Sequence, residues 1–95
     1  MKIDFDPNKD ATNITKHGVS LAVAKEFEYD TAIRVEDIRK DYGEQRIVAY
    51  GYLGTRLHVL CYKPVSRLHI RVISLRKANK RERMFYDKTL QTISG

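Results

Sequence analysis

Three short runs of strand-forming residues, joined by connections of hairpin length, constrain the fold of this chain most strongly. The runs cover residues 46–52, 56–62 and 67–72, and the connections cover 53–55 and 63–66. Parallel neighbours need a crossover of a dozen or more residues, so connections this short join antiparallel strands. The sequence therefore predicts an antiparallel meander.

The register of this meander can be tested against burial, because a slip of one residue turns every side chain to the other face. Pairing Tyr52 with Arg56, and Tyr62 with Arg67, separates the side chains into two sets. One face is then apolar or glycine throughout: Ile47, Ala49, Gly51, Leu57, Val59, Cys61, Leu68, Ile70 and Val72. The opposite face carries Arg46, Val48, Tyr50, His58, Leu60, Tyr62, Arg67, His69 and Arg71. We expect helices on the first face, and on the second an exposed surface of Arg, Tyr and His, covered in part by the C-terminal helix or a partner.

The N-terminal part predicts a short strand at residues 2–5 followed by two helices. Asp6 is a good N-cap and precedes a proline, so the first helix covers Pro7–His17 and ends at Gly18. A second helix, which Ser20 caps, covers about residues 21–28. The N-terminal part therefore supplies the helices that the apolar face of the meander requires.

The apolar stripe of the first helix is thin, because it consists of Ala11 and Ile14. This helix is therefore expected to lie on the body of the protein. Residues 31–35 alternate as a further short strand, and the charged segment 36–44 is typical of an exposed loop.

The residues after the meander predict a basic C-terminal helix. Asn79, followed three residues later by Glu82, is a capping-box-like start, and the helix continues to about Leu90. Together the elements predict one domain with an α+β fold. It has two N-terminal helices, an antiparallel sheet of about four strands and a C-terminal helix.

The charge of the chain is divided unevenly along its length. Residues 1–45 hold 7 Lys and Arg against 10 Asp and Glu, whereas residues 46–95 hold 11 against 2. A strongly basic half indicates a nucleic-acid partner, because neutralisation of phosphates drives such binding. A basic surface without a specific ligand is the alternative.

Membrane binding is disfavoured, because the chain has no apolar run of spanning length and no long amphipathic helix with an aromatic face. The N-terminus does not resemble a signal peptide, so we expect a cytoplasmic protein. The single Cys61 excludes an intrachain disulfide and is expected to be a buried, inert thiol.

A set of residues spread over nearly the whole chain resembles the BrnT toxin family in order and spacing. The set comprises Phe5-Asp6-Pro7, Lys9, Asn13, Lys16-His17-Gly18-Val19, Arg46, Gly51, Tyr62, Arg71-Val72-Ile73-Ser74-Leu75-Arg76-Lys77-Ala78, Arg81-Glu82-Arg83 and Tyr86. The resemblance implies a small ribonuclease toxin of a type II toxin–antitoxin pair with a RelE-like fold. It also implies a cognate DNA-binding antitoxin of the BrnA type, with a ribbon–helix–helix pattern, and a toxin–antitoxin complex that represses its own operon at operator DNA.

Metal-free RNA cleavage needs a group that takes the 2′-hydroxyl proton, cations that stabilise the phosphorane, and a proton donor for the leaving oxygen. The predicted exposed face offers Arg46, Tyr62 and Arg71 from three adjacent strands, and Arg76 is expected to join them. The arginines would bind the phosphate, and Tyr62 would stack a base or move a proton. The alternatives are solvated strand arginines and an aromatic residue that only fills the rim of the sheet.

Four further residues are candidate acid–base groups: His17, Glu44, His58 and Glu82. Three of them have an ordinary structural alternative, since His17 can cap a helix end, Glu82 can close a capping box and Glu44 can be a loop charge. Candidate nucleic-acid contacts are Arg67, His69, Lys77, Lys80 and Arg81, which could equally form a solvated face.

No cofactor is expected, because the three His and one Cys lack metal-ligand spacing and no glycine-rich phosphate loop is present. The first hypothesis is therefore a metal-independent endoribonuclease toxin that acts on RNA and is neutralised by an antitoxin. The alternatives are a non-catalytic nucleic-acid-binding or repressor module, and a purely structural partner-binding domain.

Overall fold

A five-stranded sheet forms the centre of the fold in a computed structural model that describes residues 1–94. The elements in chain order are β1 (Lys2–Phe5), α1 (Pro7–His17), a 3₁₀ helix (Leu21–Glu26), β2 (Ile33–Glu36), β3 (Ile47–Leu53), β4 (Arg56–Ser66), β5 (His69–Lys77) and α2 (Lys80–Ser94). The strands lie in the order β1-β5-β4-β3-β2. β1 runs parallel to β5, and the other neighbours are antiparallel. The predicted α+β class is confirmed, but the sheet is mixed rather than antiparallel throughout, and it has five strands rather than about four.

The predicted ends of α1 are confirmed. The Asp6 carboxylate accepts a hydrogen bond from the Asn8 amide at 2.8 Å, which caps the first turn. Gly18 ends the helix with φ at +73°, a left-handed conformation that glycine adopts without steric cost. The second predicted helix is present as a 3₁₀ helix that ends at Glu26, two residues earlier than predicted.

α1 is held to the sheet by a buried amide and not by the apolar stripe that the sequence indicates. Ala11 is exposed and Ile14 is 48% exposed, whereas Asn13 is 4% exposed. The Asn13 side chain donates to the Val19 and Leu75 carbonyls, both at 2.8 Å. It also accepts from the Leu75 amide at 3.1 Å. A polar residue therefore makes the connection between α1 and β5.

The face of the sheet that α1 and the 3₁₀ helix cover, here called the covered face, contains the main core. Its buried residues are Leu21, Ala24, Phe27, Ala49, Leu60, Tyr62, Ile70, Val72 and Leu75. Gly51 lies under the Phe27 ring, and a Cβ atom at this position would come within 2.6 Å of Phe27 Cζ. The close approach of this ring to β3 therefore depends on a missing side chain.

The start of α2 covers one end of the opposite face. The predicted capping box is confirmed, because Asn79 Oδ1 accepts from the Glu82 amide at 2.8 Å and Glu82 Oε1 accepts from the Asn79 amide at 2.9 Å. Tyr86 is 2% exposed, and its hydroxyl donates to the Thr31 carbonyl at 2.9 Å. The rest of this side, here called the open face, carries two clefts.

None of the helices within residues 1–94 has the length and hydrophobicity of a membrane-spanning segment.

The predicted register between β3 and β4 is wrong by one residue. Leu53 pairs with Arg56, so the hairpin turn contains only Gly54 and Thr55, with Gly54 at φ +64°. A two-residue turn with glycine at its first position matches the twist of a hairpin better than the three-residue loop that we expected. Because the side-chain period is two, the shift turns all of β4 to the other face.

The predicted register between β4 and β5 is also wrong. β4 continues to Ser66, so the connection contains Arg67 and Leu68 in place of residues 63–66. Pro64 lies within β4. Because β3 begins opposite Tyr62, Pro64 has no partner on β3, and its missing N–H costs no hydrogen bond on that side of β4. Leu68, which was predicted to be buried, is 63% exposed in the turn.

β5 contains a β-bulge at Ile73. Cys61 pairs with Ser74 and Tyr62 pairs with Val72, so Ile73 is an extra residue on β5. Strict alternation would place Arg71 and Arg76, which are five residues apart, on opposite faces. The extra residue restores both side chains to the open face.

Candidate active site on the open face

The first cleft, here called the charged cleft, lies between β1, β4, β5 and Arg46, the residue that precedes β3. It has a volume of about 530 Å³ and is lined by Asp4, Phe5, Asp6, Lys9, Glu44, Arg46, Lys63, Arg71 and Ile73. Four of these residues are cations and three are carboxylates. Asp4, Arg71 and Lys63 are register partners on β1, β5 and β4, so the sheet itself fixes their order.

Asp4 holds Arg71 at one side of the charged cleft. Arg71 Nε donates to Asp4 Oδ1 at 2.8 Å, and His69 Nε2 lies 2.6 Å from Asp4 Oδ2. The hydrogen bonds from Arg71 and His69 lower the pKa of Asp4 to about 2. The carboxylate in turn raises the pKa of Arg71 above its ordinary value. Arg71 is therefore permanently charged and oriented by a carboxylate that stays ionised.

Glu44 lies between two cations on the other side of the charged cleft. Its carboxylate is 3.3 Å from Lys63 Nζ and 3.4 Å from Arg46 Nε. The hydrogen bond from Lys63 is the main cause that lowers the pKa of Glu44, with a further contribution from Arg46. Glu44 is therefore an ionised proton acceptor inside the cleft.

The second cleft, here called the aromatic cleft, lies between the charged cleft and α2. It has a volume of about 570 Å³ and is lined by Val35, Glu36, Asp37, Ile38, Arg39, Tyr42, Arg46, Val48, Tyr50, Val59, Cys61, Ile73, Ser74, Arg76 and Glu82. The Arg46 guanidinium lies over the Tyr42 ring, 4.0 Å from its centroid. Arg46 and Ile73 line both clefts, so the two form adjoining parts of one surface.

Arg76 and Glu82 form a bidentate ion pair at the rim of the aromatic cleft. Arg76 Nη1 and Nη2 each donate to one Glu82 oxygen at 2.8 Å. This pairing raises the pKa of Arg76 and lowers the pKa of Glu82. The same Glu82 oxygen that meets Nη1 also caps α2 through Asn79, so the start of the helix fixes the position of Arg76.

The predicted exposed loop between β2 and β3 is present, and Asp37 orders it. Asp37 is 8% exposed and accepts from Arg39 Nε at 2.8 Å, Arg39 Nη2 at 2.9 Å and the Tyr42 hydroxyl at 3.0 Å. The Arg39 guanidinium holds the pKa of Asp37 well below its usual range. Asp37 thereby places Tyr42 against Arg46.

Comparison with known proteins identifies the type of protein that carries this surface. A sequence model described as the ribonuclease toxin BrnT of type II toxin–antitoxin systems matches residues 5–82. The chain belongs to the BrnT family. This family is one of ribonuclease toxins, so RNA is its substrate class and an antitoxin is its partner.

A solved structure agrees with this assignment. The chain is similar to the crystal structure of the Brucella abortus ribonuclease toxin BrnT, with 31% sequence identity and a TM-score of 0.64. The similarity covers 84% of this chain and 99% of the Brucella chain. Comparison with functionally curated proteins gives no match. The resemblance to the BrnT family that the sequence shows is therefore confirmed.

Five of the predicted site residues of this BrnT-family chain come together on the open face. Arg46, Arg71 and Glu44 line the charged cleft, and Arg46, Arg76 and Glu82 line the aromatic cleft. The carboxylates pair with the arginines, an arrangement that the sequence did not indicate. The roles of these residues remain proposals, which are taken up below.

The predicted exposure of Tyr62 and His58 is wrong. Tyr62 is 6% exposed and belongs to the core of the covered face, because the shifted register turns it away from Arg46 and Arg71. His58 is also 6% exposed, and its Nδ1 donates to the Arg56 carbonyl at 2.9 Å. Neither residue lies in the clefts, so we do not include them in the proposed site.

The other predicted residues lie outside both clefts. His17 is exposed at the end of α1 and lines a separate groove along that helix. Arg67 lies in the turn before β5, and His69 contacts the charged cleft only through Asp4. Lys77, Lys80 and Arg81 are exposed where β5 passes into α2. Contact of these last five residues with nucleic acid stays a prediction.

The residues of the clefts that sequence reasoning missed include Asp4, Lys9, Asp37, Tyr42 and Lys63. Asp4 alternates with apolar neighbours in a short strand, and that alternation already indicates a side chain on the open face. Its proximity to Arg71 follows only from the parallel pairing of β1 with β5, which no local signal predicts. Within residues 1–94, no group of three or more His, Cys, Asp and Glu side chains is arranged to hold a metal ion.

The Asp4 ion pair predicts a specific titration. The folded-state pKa of about 2 lies below the ordinary 3.8, so the pair stabilises the folded protein fully above pH 3.8. That contribution disappears as the pH falls through about 2. We expect NMR of the carboxyl carbon to give the low pKa in the wild type and a value nearer 3.8 in Arg71→Gln. A wild-type midpoint at 3.8 would show that the pair is absent in solution.

Proposed function

We propose that this chain is a single-domain, metal-independent endoribonuclease toxin whose charged cleft binds the scissile phosphodiester. The observation that carries the proposal is the placement of Arg46, Arg71 and Arg76 on one face of the sheet, along two adjoining clefts. A phosphate that bridges two strands needs cations from both, and a guanidinium can meet two phosphate oxygens at once.

The carboxylates of the charged cleft orient the arginines without occupying all of their donors. A guanidinium has five N–H groups. Arg46 contacts Glu44 only through Nε, and Arg71 contacts Asp4 through Nε and, at 3.5 Å, Nη2. The remaining N–H groups can donate to phosphate oxygens as negative charge develops in the transition state.

Glu44 is the candidate base that the geometry favours. It lies in the same cleft as Arg46 and Arg71 and is ionised at neutral pH. The ion pairs with Lys63 and Arg46 lower its pKa, so they hold the carboxylate in place but also make it a weaker base. We propose that Glu44 takes the proton of the RNA 2′-hydroxyl, which then attacks the adjacent phosphorus. The arginines and Lys63 stabilise the added charge. The P–O5′ bond then breaks as the Lys63 ammonium protonates the leaving 5′-oxygen, and Glu44 returns its proton to Lys63, 3.3 Å away. The products carry a 2′,3′-cyclic phosphate end and a 5′-hydroxyl end.

The proposed reaction is tested with purified protein, single-stranded RNA and excess EDTA. We expect cleavage to persist in EDTA and to yield 2′,3′-cyclic phosphate ends, because the proposed groups are all side chains. Arg71→Ala should lose the activity, and Arg56→Ala, which removes an exposed arginine at the start of β4, should retain it. Activity that disappears in EDTA would overturn metal independence. RNA binding without any product would favour the non-catalytic nucleic-acid-binding module.

The family assignment supports further proposals about the biological setting. We infer a RelE-like relationship of the fold, action in the cytoplasm, and growth arrest when the chain is expressed without its antitoxin. We also propose a BrnA-like ribbon–helix–helix antitoxin whose complex with the toxin binds operator DNA. Expression of the chain alone, compared with Arg71→Ala, tests toxicity directly, since equal growth of the two strains would contradict it.

A further inference from the structure

The aromatic cleft adjoins the charged cleft, which is proposed to hold the scissile phosphate. Arg46 and Ile73 line both clefts. The volume of about 570 Å³ falls within the range of pockets that bind small organic groups. The location and size therefore suit a substrate group next to the scissile phosphate.

The lining of the aromatic cleft also contains charged side chains, among them Asp37, Arg39 and Glu82, but it has more uncharged strand residues than the charged cleft and two tyrosines. Its floor is formed by Val48, Val59, Cys61 and Ser74 from three neighbouring strands. Tyr50 forms part of its wall, and the edge-to-face contact with Phe85, at 5.1 Å between ring centroids, fixes the Tyr50 ring. Apolar strand residues beside a fixed aromatic ring suit a flat heteroaromatic group better than a phosphate.

Two features at the edges of the aromatic cleft fit a nucleobase in particular. The Arg46 guanidinium, supported by the Tyr42 ring, stands at the boundary of the two clefts, where a strand of RNA would pass from phosphate to base. The Arg76–Glu82 pair at the rim keeps further N–H donors and carboxylate lone pairs that can meet the edge of a base. Unpaired bases in RNA are recognised through these two types of contact.

We propose that the aromatic cleft binds one unpaired nucleobase of the RNA, next to the phosphate held in the charged cleft, and thereby selects where the chain is cut. This inference rests on the proposed ribonuclease function. A base can enter the cleft only when it is unstacked and unpaired, so the proposal also restricts the substrate to single-stranded segments.

The first test compares Val48→Trp, which fills the cleft, with Val65→Trp, which places the same side chain at an exposed valine of β4 outside both clefts. The substrates are an oligoribonucleotide with one cleavage site and its analogues with a single abasic ribose on either side of the scissile phosphate. Base stacking contributes about 1–3 kcal/mol. We therefore expect Val48→Trp to lower kcat/KM for the intact RNA about tenfold or more. For one of the two abasic analogues, the wild type and Val48→Trp should have the same low kcat/KM. Val65→Trp should retain cleavage of the intact RNA.

The outcomes separate this proposal from the proposed function. If the wild type cleaves no RNA, the proposed function fails. If the wild type cleaves the intact RNA and both abasic analogues equally well, the function stands and the base-binding cleft is overturned. If Val48→Trp cleaves normally but is no longer neutralised by the antitoxin on co-expression, the cleft belongs to the antitoxin, and the proposal is also overturned.

A second measurement uses the unmodified sequence, in case Val48→Trp does not fold. Cys61 is the single cysteine of the chain and lies on the floor of the aromatic cleft. A non-cleavable oligonucleotide with a 2′-O-methyl group at the cleavage site should slow alkylation of Cys61 by iodoacetamide severalfold. The corresponding abasic oligonucleotide, bound to saturation, should not slow the alkylation of Cys61. Equal protection by both oligonucleotides would contradict a base in the cleft.

Discussion

Replacement of Arg46 by alanine is expected to lower kcat/KM for RNA cleavage by about 10²–10³-fold, the effect typical of removing one donor to a developing negative charge. Arg46 is a residue that both clefts share, so its loss affects the phosphate and the adjoining base together. Glu44 keeps its ion pair with Lys63 in the variant, and the fold should therefore be retained. The measurement is steady-state cleavage of a fluorogenic oligoribonucleotide.

Two control variants make the Arg46 result specific. Arg46→Lys keeps the charge but loses the planar fork, and we expect it to recover only part of the activity. Arg56→Ala removes an exposed arginine outside both clefts and should leave kcat/KM unchanged. An Arg46→Ala protein within about threefold of the wild type would remove the charged cleft from the mechanism.

Replacement of Asn13 by alanine is expected to destabilise the fold by about 3 kcal/mol. The side chain makes three hydrogen bonds that tie α1 and the residues after it to β5. Two of them satisfy the amide and the carbonyl of Leu75, a residue with no exposed surface. A buried polar group without a partner costs about 1–3 kcal/mol. Urea denaturation gives the free energy of unfolding.

Thr12→Ala is the matched control for Asn13→Ala, because Thr12 lies next to it in α1 and is exposed. A surface substitution of this kind changes the free energy of unfolding by less than about 0.5 kcal/mol. Asn13→Asp keeps an oxygen for the Leu75 amide but loses the donor for two carbonyls, so it should also be strongly destabilised. Equal stability of Asn13→Ala and Thr12→Ala would show that packing, rather than the amide, holds α1.

The parts of the fold that depend on a few neighbouring residues could be predicted from the sequence. The Asp6 and Ser20 caps, the Gly18 stop and the Asn79–Glu82 capping box all appear where expected. Each of them requires only hydrogen bonds between residues one to four positions apart. These signals are present in the chain before any tertiary contact forms.

The strand register could not be predicted, because it depends on the length of each turn. Apolar side chains point to both faces of β4. Leu57, Val59 and Cys61 lie on one face, and Leu60 and Tyr62 lie on the other. Both faces of this central strand are at least partly covered, so hydrophobicity alone does not choose between the two registers. A turn of two residues instead of three reverses the assignment of every side chain.

The sequence predicted the arginines of the candidate site but not the side chains that pair with them. The basic C-terminal half and the family resemblance indicate Arg46, Arg71 and Arg76 correctly as residues of one surface. The carboxylate that orients Arg71 comes from β1 at the opposite end of the chain, across a parallel pairing. Long-range pairing of this kind leaves no local pattern that a sequence alone can show.

The bulge at Ile73 makes the number of residues between Arg71 and Arg76 as important as their identity. Removing the extra residue itself would leave the two arginines four positions apart, which regular alternation also places on one face. Inserting one residue between them, with the bulge unchanged, would instead turn Leu75 out of the core and Arg76 away from the side of the sheet that carries Arg71. A substitution here changes one contact, whereas such an insertion separates the two guanidiniums altogether. The geometry of the proposed site therefore depends partly on the spacing of its residues along the chain.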